Sequence, residues 1–259
     1  AMLTMAVLVF IIGFVLLKGI PHLSPELFAP HYTSENVSLL PALVNTLFMT
    51  LLALLIAAPI GIFAAVFLVE YTDHEGKLVG LIRLTAETLS GIPSIVYGLF
   101  GMLFFSTALG WGYSMLAGAF TMAIMILPLI MRTSEEALIS VPRSYREASF
   151  GLGAGKLRTI FKVVLPAAIP GILSGVILAV GRVAGETAAL IFTAGTVAKY
   201  AGFMDSGRTL AVHMYVLSNE GLHMDQAYAT AVILLIFVFA MNELSEFAAR
   251  KISKGHENE

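Results

Sequence analysis

The chain has 259 residues, of which 58% are hydrophobic and 12% charged, with a mean hydropathy of +0.88. A soluble domain averages about 25% charged residues, so this composition is that of a membrane protein. A net charge of -2 and the absence of cysteine argue against a nucleic-acid partner and leave no means of building a disulfide framework or a thiolate metal site.

A bilayer-spanning helix needs about 20 mostly apolar residues, and the chain reads as all-α and polytopic, with about six such segments. The first, 3–17, is short and ends at Lys18-Gly19. No basic residue precedes it and no small-residue cleavage site follows, so it is expected to be a retained helix. The second covers 39–69 and is interrupted at Pro59-Ile60-Gly61. The third follows Lys77, carries Arg83 and Glu87 near its start, and passes Gly91-Ile92-Pro93 before the apolar run 94–109. The fourth is 113–130, the fifth 163–193 and the sixth 227–247.

Basic residues accumulate on the cytoplasmic side of short loops. With the N-terminus inside, Lys77, Arg83, Arg143, Arg146, Lys156, Arg158, Lys162, Arg250, Lys251 and Lys254 fall on the cytoplasmic side. Lys18, Lys199 and Arg208 fall outside, while Arg132 and Arg182 sit at or within the fourth and fifth helices. Both termini are therefore expected in the cytoplasm, and the longest cytoplasmic loop is about 132–162.

That loop contains Gly151-Leu152-Gly153-Ala154-Gly155-Lys156, which has the look of a phosphate-cradling loop. A Walker A loop needs four residues between its glycines and a hydroxyl after its lysine. Here three residues separate Gly151 from Gly155, Leu157 occupies the hydroxyl position, and the preceding stretch reads as polar helix instead of buried strand. The dinucleotide fingerprint fails too, because Lys156 stands where its last glycine belongs. Helical periodicity instead predicts a short helix over 144–152, a turn at Gly153–Gly155 and a second helix over 156–163, bracketed by Pro142 and Pro166.

The loop carries Glu147-Ala148-Ser149, then Gly153, then Val163-Val164-Leu165-Pro166. This spacing resembles the EAA motif of the permease subunits of ABC importers, with Ser in place of the second Ala and Val in place of Ile. The resemblance implies that the loop docks on a separate ATPase subunit and passes its motion to the membrane helices. Glu147, Ala148, Ser149, Gly153, Val163, Leu165 and Pro166 are the residues that carry this coupling expectation.

An ionisable residue inside a spanning helix costs about 2.5 kcal/mol or more and usually marks a partner or an aqueous path. The fifth segment carries Arg182 after a charge-free stretch, with Glu186 four residues on, and the fourth ends in Arg132-Thr133-Ser134-Glu135-Glu136. Arg182 with Glu186, and Arg132 with Glu135, are spaced to share helix faces. One reading is self-neutralising pairs, with Arg132 snorkelling to the interface; the other is an anion path. Guanidinium presents a planar fork to phosphate oxygens, and a neighbouring carboxylate accepts a hydrogen bond from protonated phosphate that sulfate lacks.

Gly185-Glu186-Thr187-Ala188-Ala189-Leu190 after Arg182 is similar to a run found in bacterial phosphate permeases of the PstA and PstC type, although Ala189 stands where Pro is usual. Ile92-Pro93-Ser94-Ile95-Val96-Tyr97-Gly98-Leu99-Phe100-Gly101 and Leu127-Pro128-Leu129-Ile130-Met131-Arg132-Thr133-Ser134-Glu135-Glu136-Ala137-Leu138 resemble the same type. The short N-terminus and short first external loop favour the PstA form. The resemblance implies a type I ABC importer permease fold, MetI-like. Residues 1–38 would form an N-terminal helix and external loop, 39–249 the permease domain and 250–259 a cytoplasmic tail. It implies a phosphate-import subunit in the inner membrane, with no catalytic centre, cofactor or metal of its own. ATP and magnesium would be bound by two partner ATPase subunits, alongside a second PstC-like permease and an extracytoplasmic phosphate-binding protein. The competing readings are a permease for sulfate, molybdate or another oxyanion, and a proton-coupled carrier or intramembrane enzyme built on the same charges.

Other residues carry less. His22, His31 and His74 lie in predicted loops without ligand spacing. Met115, Met122 and Met125 read as helix packing, and Gly171 with Gly175 would let the fifth helix pack closely, within this chain or on a partner.

Overall fold

The computed structural model describes residues 2–72 and 76–257, with side chains through Phe247. His74 and the side chains of Arg250, Lys251 and Lys254 lie outside that description. Every regular element among the described residues is helical. Five helices are long and apolar enough to cross a bilayer, or six if one broken pair is counted as a single span.

The first helix, α1, is Met2–Gly19, and α2 is Leu40–Glu70. The expected interruption at Pro59 does not occur: α2 runs through it. A membrane helix tolerates a proline because neighbouring groups re-satisfy the freed backbone, and Gly61 lets α2 lie against Ile130, where an added Cβ would stand 3.0 Å from the isoleucine side chain. The third expected span is in fact two helices, α3 at Lys77–Ser90 and α4 at Ser94–Gly101, the latter continuing as a π-helix over Met102–Ala108. Pro93 removes a donor and disfavours helical geometry at Ile92, which breaks the helix there.

Helix α5, Met115–Ser140, runs ten residues past the expected end at Ile130, so Arg132, Glu135 and Glu136 are helix-interior residues. The loop helices are α6 at Arg143–Gly151 and α7 at Lys156–Thr159. A π-turn, Ile160–Val164, joins α7 to α8 at Leu165–Ala184, so one 29-residue helical rod extends from Lys156 to Ala184. Pro166 has no N–H to give to the preceding turn, and the wider π-turn accommodates that loss. The expected fifth span ends early, at Ala184, and α9 restarts at Ala188–Thr193. Helices α10, Leu210–Glu220, and α11, Met224–Glu257, complete the chain.

The chain divides into two compact units. The first comprises Ala1–Leu52, Ser94–Met122 and Val183–Ala240. In it α4 packs on α9 so closely that a Cβ on Gly98 would stand 2.8 Å from the Ala189 backbone. Asn45 organises the 195–209 segment: its Nδ2 donates to the Lys199 and Arg208 carbonyls at 2.8 and 3.1 Å, and its Oδ1 accepts from Ala201 N–H at 3.1 Å. Thr46 Oγ1 accepts from Leu210 N–H at 2.7 Å and so holds the start of α10.

The second unit comprises Ala53–Pro93, Ala123–Arg182 and Met241–Glu259. Its core gathers Leu68, Val79, Leu138, Ile160, Val164 and Ile172 from α2, α3, α5, the π-turn and α8. The expectation that Gly171 and Gly175 serve close packing resolves here to packing within the chain: a Cβ on Gly171 would stand 2.6 Å from Ala137, and one on Gly175 would overlap the Thr133 hydroxyl.

Candidate functional site

The second unit holds a cavity of about 480 Å³ lined by α3, α5 and α8. Its polar lining is Arg83, Glu87 and Ser90 from α3, Arg132, Glu135 and Glu136 from α5, and Arg182 from α8. The apolar stripe of each helix dictates the convergence. On α3, buried Val79 and partly buried Ile82 and Ala86 face the core, and Arg83 and Glu87 fall beside that stripe at helical spacing. On α8, Arg182 lies two turns beyond Gly175, on the face that the glycines press against α5.

The ion pairs differ from those the spacing suggested. Glu135 is not the partner of Arg132; it is 6% exposed, and its Oε1 receives both Arg83 Nε at 2.7 Å and Arg83 Nη2 at 2.5 Å. Arg132 instead meets Glu136 at 3.2 Å, one turn along α5, with both side chains about two-thirds exposed. The physical reason is burial. A buried carboxylate requires a dedicated counter-charge, and α3 brings one to Glu135, whereas the exposed Arg132 finds its carboxylate one turn along α5. Arg182 and Glu186 do not share a helix face either, because α8 ends between them. Glu186 lies in the first unit and accepts the Ala189 N–H at 3.1 Å, satisfying a free donor at the start of α9.

Three guanidinium groups surround one cavity, and guanidinium suits a tetrahedral oxyanion through charge-assisted hydrogen bonds, although Arg83 and Arg132 already give donors to carboxylates. Spacing within single helices points to Arg132, Glu135 and Arg182, whereas Arg83 and Glu87 read only as charges near the start of the third segment. Their signal was present: an Arg and a Glu spaced i, i+4 beside the stripe of Val79, Ile82 and Ala86.

The 143–166 loop forms the helix–turn–helix that its periodicity predicted. Gly153 has φ +82, a left-handed turn that glycine adopts without strain. Across that turn Ser149 Oγ and Thr159 Oγ1 share a hydrogen bond of 2.8 Å. Tyr145, Phe150, Leu152 and Leu157 are exposed, Leu152 at 90%. Ala148, Ser149, Gly153 and Val163 help line one groove of the loop, Glu147 lines another with Glu70 and Arg146, and Leu165-Pro166 opens α8.

Two contacts fasten this loop to the end of α2. Arg146 donates to Glu70 Oε1 from Nε at 3.0 Å and from Nη2 at 2.7 Å, and also to the carbonyls of Val141 and Leu138 at 3.0 and 3.1 Å. From α7, Lys156 Nζ stands 4.7 Å above the Tyr71 ring. Each short helix of the loop therefore has its own charged tether to α2.

In the first unit Arg208, placed among the external loop charges by sequence, is 4% exposed, with its guanidinium 4.6 Å from the Tyr32 ring centre. Fully buried His213 meets the same ring edge-on at 6.1 Å. Burial, with the Arg208 charge second, lowers the His213 pKa to about 3.

The family model for binding-protein-dependent transport system inner membrane components matches residues 57–255. The chain belongs to that family. It is 33% identical over 268 residues to the probable ABC transporter permease protein YqgI of Bacillus subtilis, a match covering 96% of this chain and 91% of the relative. It is also 33% identical over 234 residues to the phosphate transport system permease protein PstA of Haemophilus influenzae, covering 87% and 81%. Among solved structures, a bacterial alginate ABC transporter in complex with its alginate pentasaccharide-bound periplasmic protein superposes with a TM-score of 0.69. That superposition covers 98% of this chain and 95% of the other at 15% identity, which shows a shared fold. The protein is thus a multi-pass inner-membrane permease subunit of an ABC importer, and its relatives are transport permeases, not enzymes. Membership of the family implies ATPase and substrate-binding protein partners.

Proposed function

We propose that this chain is the PstA-like permease of an ATP-driven phosphate importer and forms half of the translocation path. The observation that carries the reading is the convergence of Arg83, Arg132 and Arg182 on one cavity in a chain whose relatives include phosphate permeases. In this reading Arg132, Glu135 and Arg182 line the path within the second unit, and Glu186 serves phosphate transport from the first unit, at the start of α9. Residues 39–249 form the permease domain, and both termini face the cytoplasm.

The loop carrying Glu147, Ala148, Ser149, Gly153, Val163, Leu165 and Pro166 docks on an ATPase subunit, which binds the ATP and magnesium. Its exposed Leu152, Phe150 and Leu157 supply an apolar contact, and the Arg146–Glu70 and Lys156–Tyr71 tethers pass motion to α2. A PstC-like permease, a second ATPase subunit and an extracytoplasmic phosphate-binding protein complete the complex.

Purifying the native complex in detergent, supplying each anion-loaded binding protein and measuring ATP hydrolysis tests the proposal. Phosphate is expected to stimulate hydrolysis several-fold and sulfate or molybdate to leave it at the basal rate. Stimulation by another oxyanion in preference to phosphate would reassign the substrate.

A further inference from the structure

The charges around the cavity balance in number but not in pairing. Arg83 is held by Glu135, and Arg132 by Glu136. That leaves one cation and one carboxylate of the lining, Arg182 and Glu87, with no side-chain partner among the described residues; both are exposed to the cavity side. A tetrahedral anion entering this space finds Arg182 available as donor and Glu87 available as acceptor. The other two carboxylates are already neutralised by an arginine.

An ionised carboxylate only accepts hydrogen bonds. Phosphate at neutral pH keeps at least one P–OH and can donate to it. Sulfate has no proton, so its oxygens would face the carboxylate oxygens with only repulsion between them. We propose that Glu87 is the residue that selects phosphate over sulfate in this cavity, accepting the P–OH hydrogen bond of an anion whose other oxygens are held by Arg182. This rests on the phosphate-path reading above and adds to it the group that discriminates. It also explains why Glu87 sits beside the cavity instead of one turn away: a carboxylate there weakens anion binding in general, and is useful only if the bound anion brings a proton.

The chain contains no cysteine, so a single thiol placed in the cavity reports on its occupancy. Ser90 lines the cavity one turn from Glu87. The experiment introduces Ser90→Cys into the intact complex, reconstituted in liposomes. It measures the rate at which a membrane-permeant thiol reagent labels this chain, resolved by size, as inorganic phosphate or sulfate is added at constant ionic strength. With Glu87 present, phosphate is expected to protect at about one-tenth the concentration that sulfate requires, the effect of one hydrogen bond to a charged group. Glu87→Gln should bring the two anions within about twofold of each other, mainly by strengthening sulfate protection, because the amide also donates. Glu87→Asp should keep the preference, and Glu87→Ala should lose it, which covers the case in which the amide variant does not assemble. Retention of the tenfold preference in Glu87→Gln or Glu87→Ala overturns the role of Glu87 while leaving the anion path standing, as does equal protection by both anions in the Ser90→Cys parent. Absence of protection by either anion in that parent overturns the anion path itself.

Discussion

Glu135 is 6% exposed in a helix that composition places in the membrane, and a charge there persists only against a counter-charge. Arg83 provides it through two nitrogens on one oxygen. Removing the arginine alone leaves an uncompensated buried carboxylate; because Arg83 is itself 38% exposed, the loss is expected to be about 1–2 kcal/mol, below the range for a fully buried pair. Arg83→Met should therefore lower the melting temperature of the detergent-solubilised complex, and Arg83→Met with Glu135→Leu should recover most of it. Additive losses in the double variant would show that the pair is not the stabilising unit. His213 makes the opposite kind of case, a titratable group kept neutral. Its pKa falls to about 3 in the folded chain because of burial and the nearby Arg208 charge, with the Tyr32 ring as the other close neighbour. The unfolded chain takes up a proton near the ordinary value of 6.5 and the folded chain does not. The stability this neutrality confers is thus full above about pH 6.5 and is lost as pH falls towards 3, by on the order of 2 kcal/mol between pH 6.5 and 5. His213→Phe should flatten that part of the stability profile relative to the parent, and an unchanged acid slope would place its origin elsewhere.

Among the elements, α8 shows how packing places a charge at the cavity. Gly171 and Gly175 bring its backbone against Ala137 and Thr133 of α5, and Arg182 follows on the same face. Gly175→Val puts a side chain where the Thr133 hydroxyl lies, an overpacking cost of about 1–3 kcal/mol. The expected result is a complex that still inserts but melts earlier and transports poorly, with Thr133→Ala partly restoring both; no restoration would mean that the α5–α8 contact is not what the glycine protects. Much of this architecture was legible beforehand, because an apolar run of about 20 residues has few other uses, and the left-handed Gly153 turn with its flanking short helices follows from local chemistry. The ends and breaks were not. Arg132, Glu135 and Glu136 read as a helix terminus because charges are costly in lipid, whereas α5 continues to Ser140 with Glu135 buried against Arg83 of α3 and with Arg132 and Glu136 paired to each other beside a cavity. The partner of Glu135 lies 52 residues away on another helix, beyond any i, i+4 rule, and the same holds for Arg146 and Glu70, 76 residues apart. Spacing identified the arginines of the cavity on α5 and α8 but could not say which carboxylate each one meets.

At the scale of the whole molecule, the proposed docking role requires a push at the loop to become movement of the membrane helices, and the loop has two fastenings able to carry it. The rod from Lys156 through the π-turn into α8 is one connection. The second runs to α2, where Arg146 on α6 holds Glu70 while also bonding the carbonyls of Leu138, near the end of α5, and Val141 just beyond it, and Lys156 covers Tyr71. Glu70→Gln keeps the shape of the side chain and leaves Arg146 its bonds to Leu138 and Val141, so the loop should stay folded and able to dock. What weakens is the link from the loop to α2, since a charge-assisted pair is about twice as strong as a neutral hydrogen bond. The complex carrying Glu70→Gln is expected to assemble and hydrolyse ATP at close to the parental rate while importing several-fold less substrate per ATP. Arg146→Met, which strands Glu70 at 9% exposure and frees the Leu138 and Val141 carbonyls, should in addition lower assembly. The ratio of uptake to hydrolysis in reconstituted liposomes separates the two roles: a fall in the ratio assigns the pair to transmission, whereas equal falls in uptake and hydrolysis would reduce it to a fold-stabilising contact.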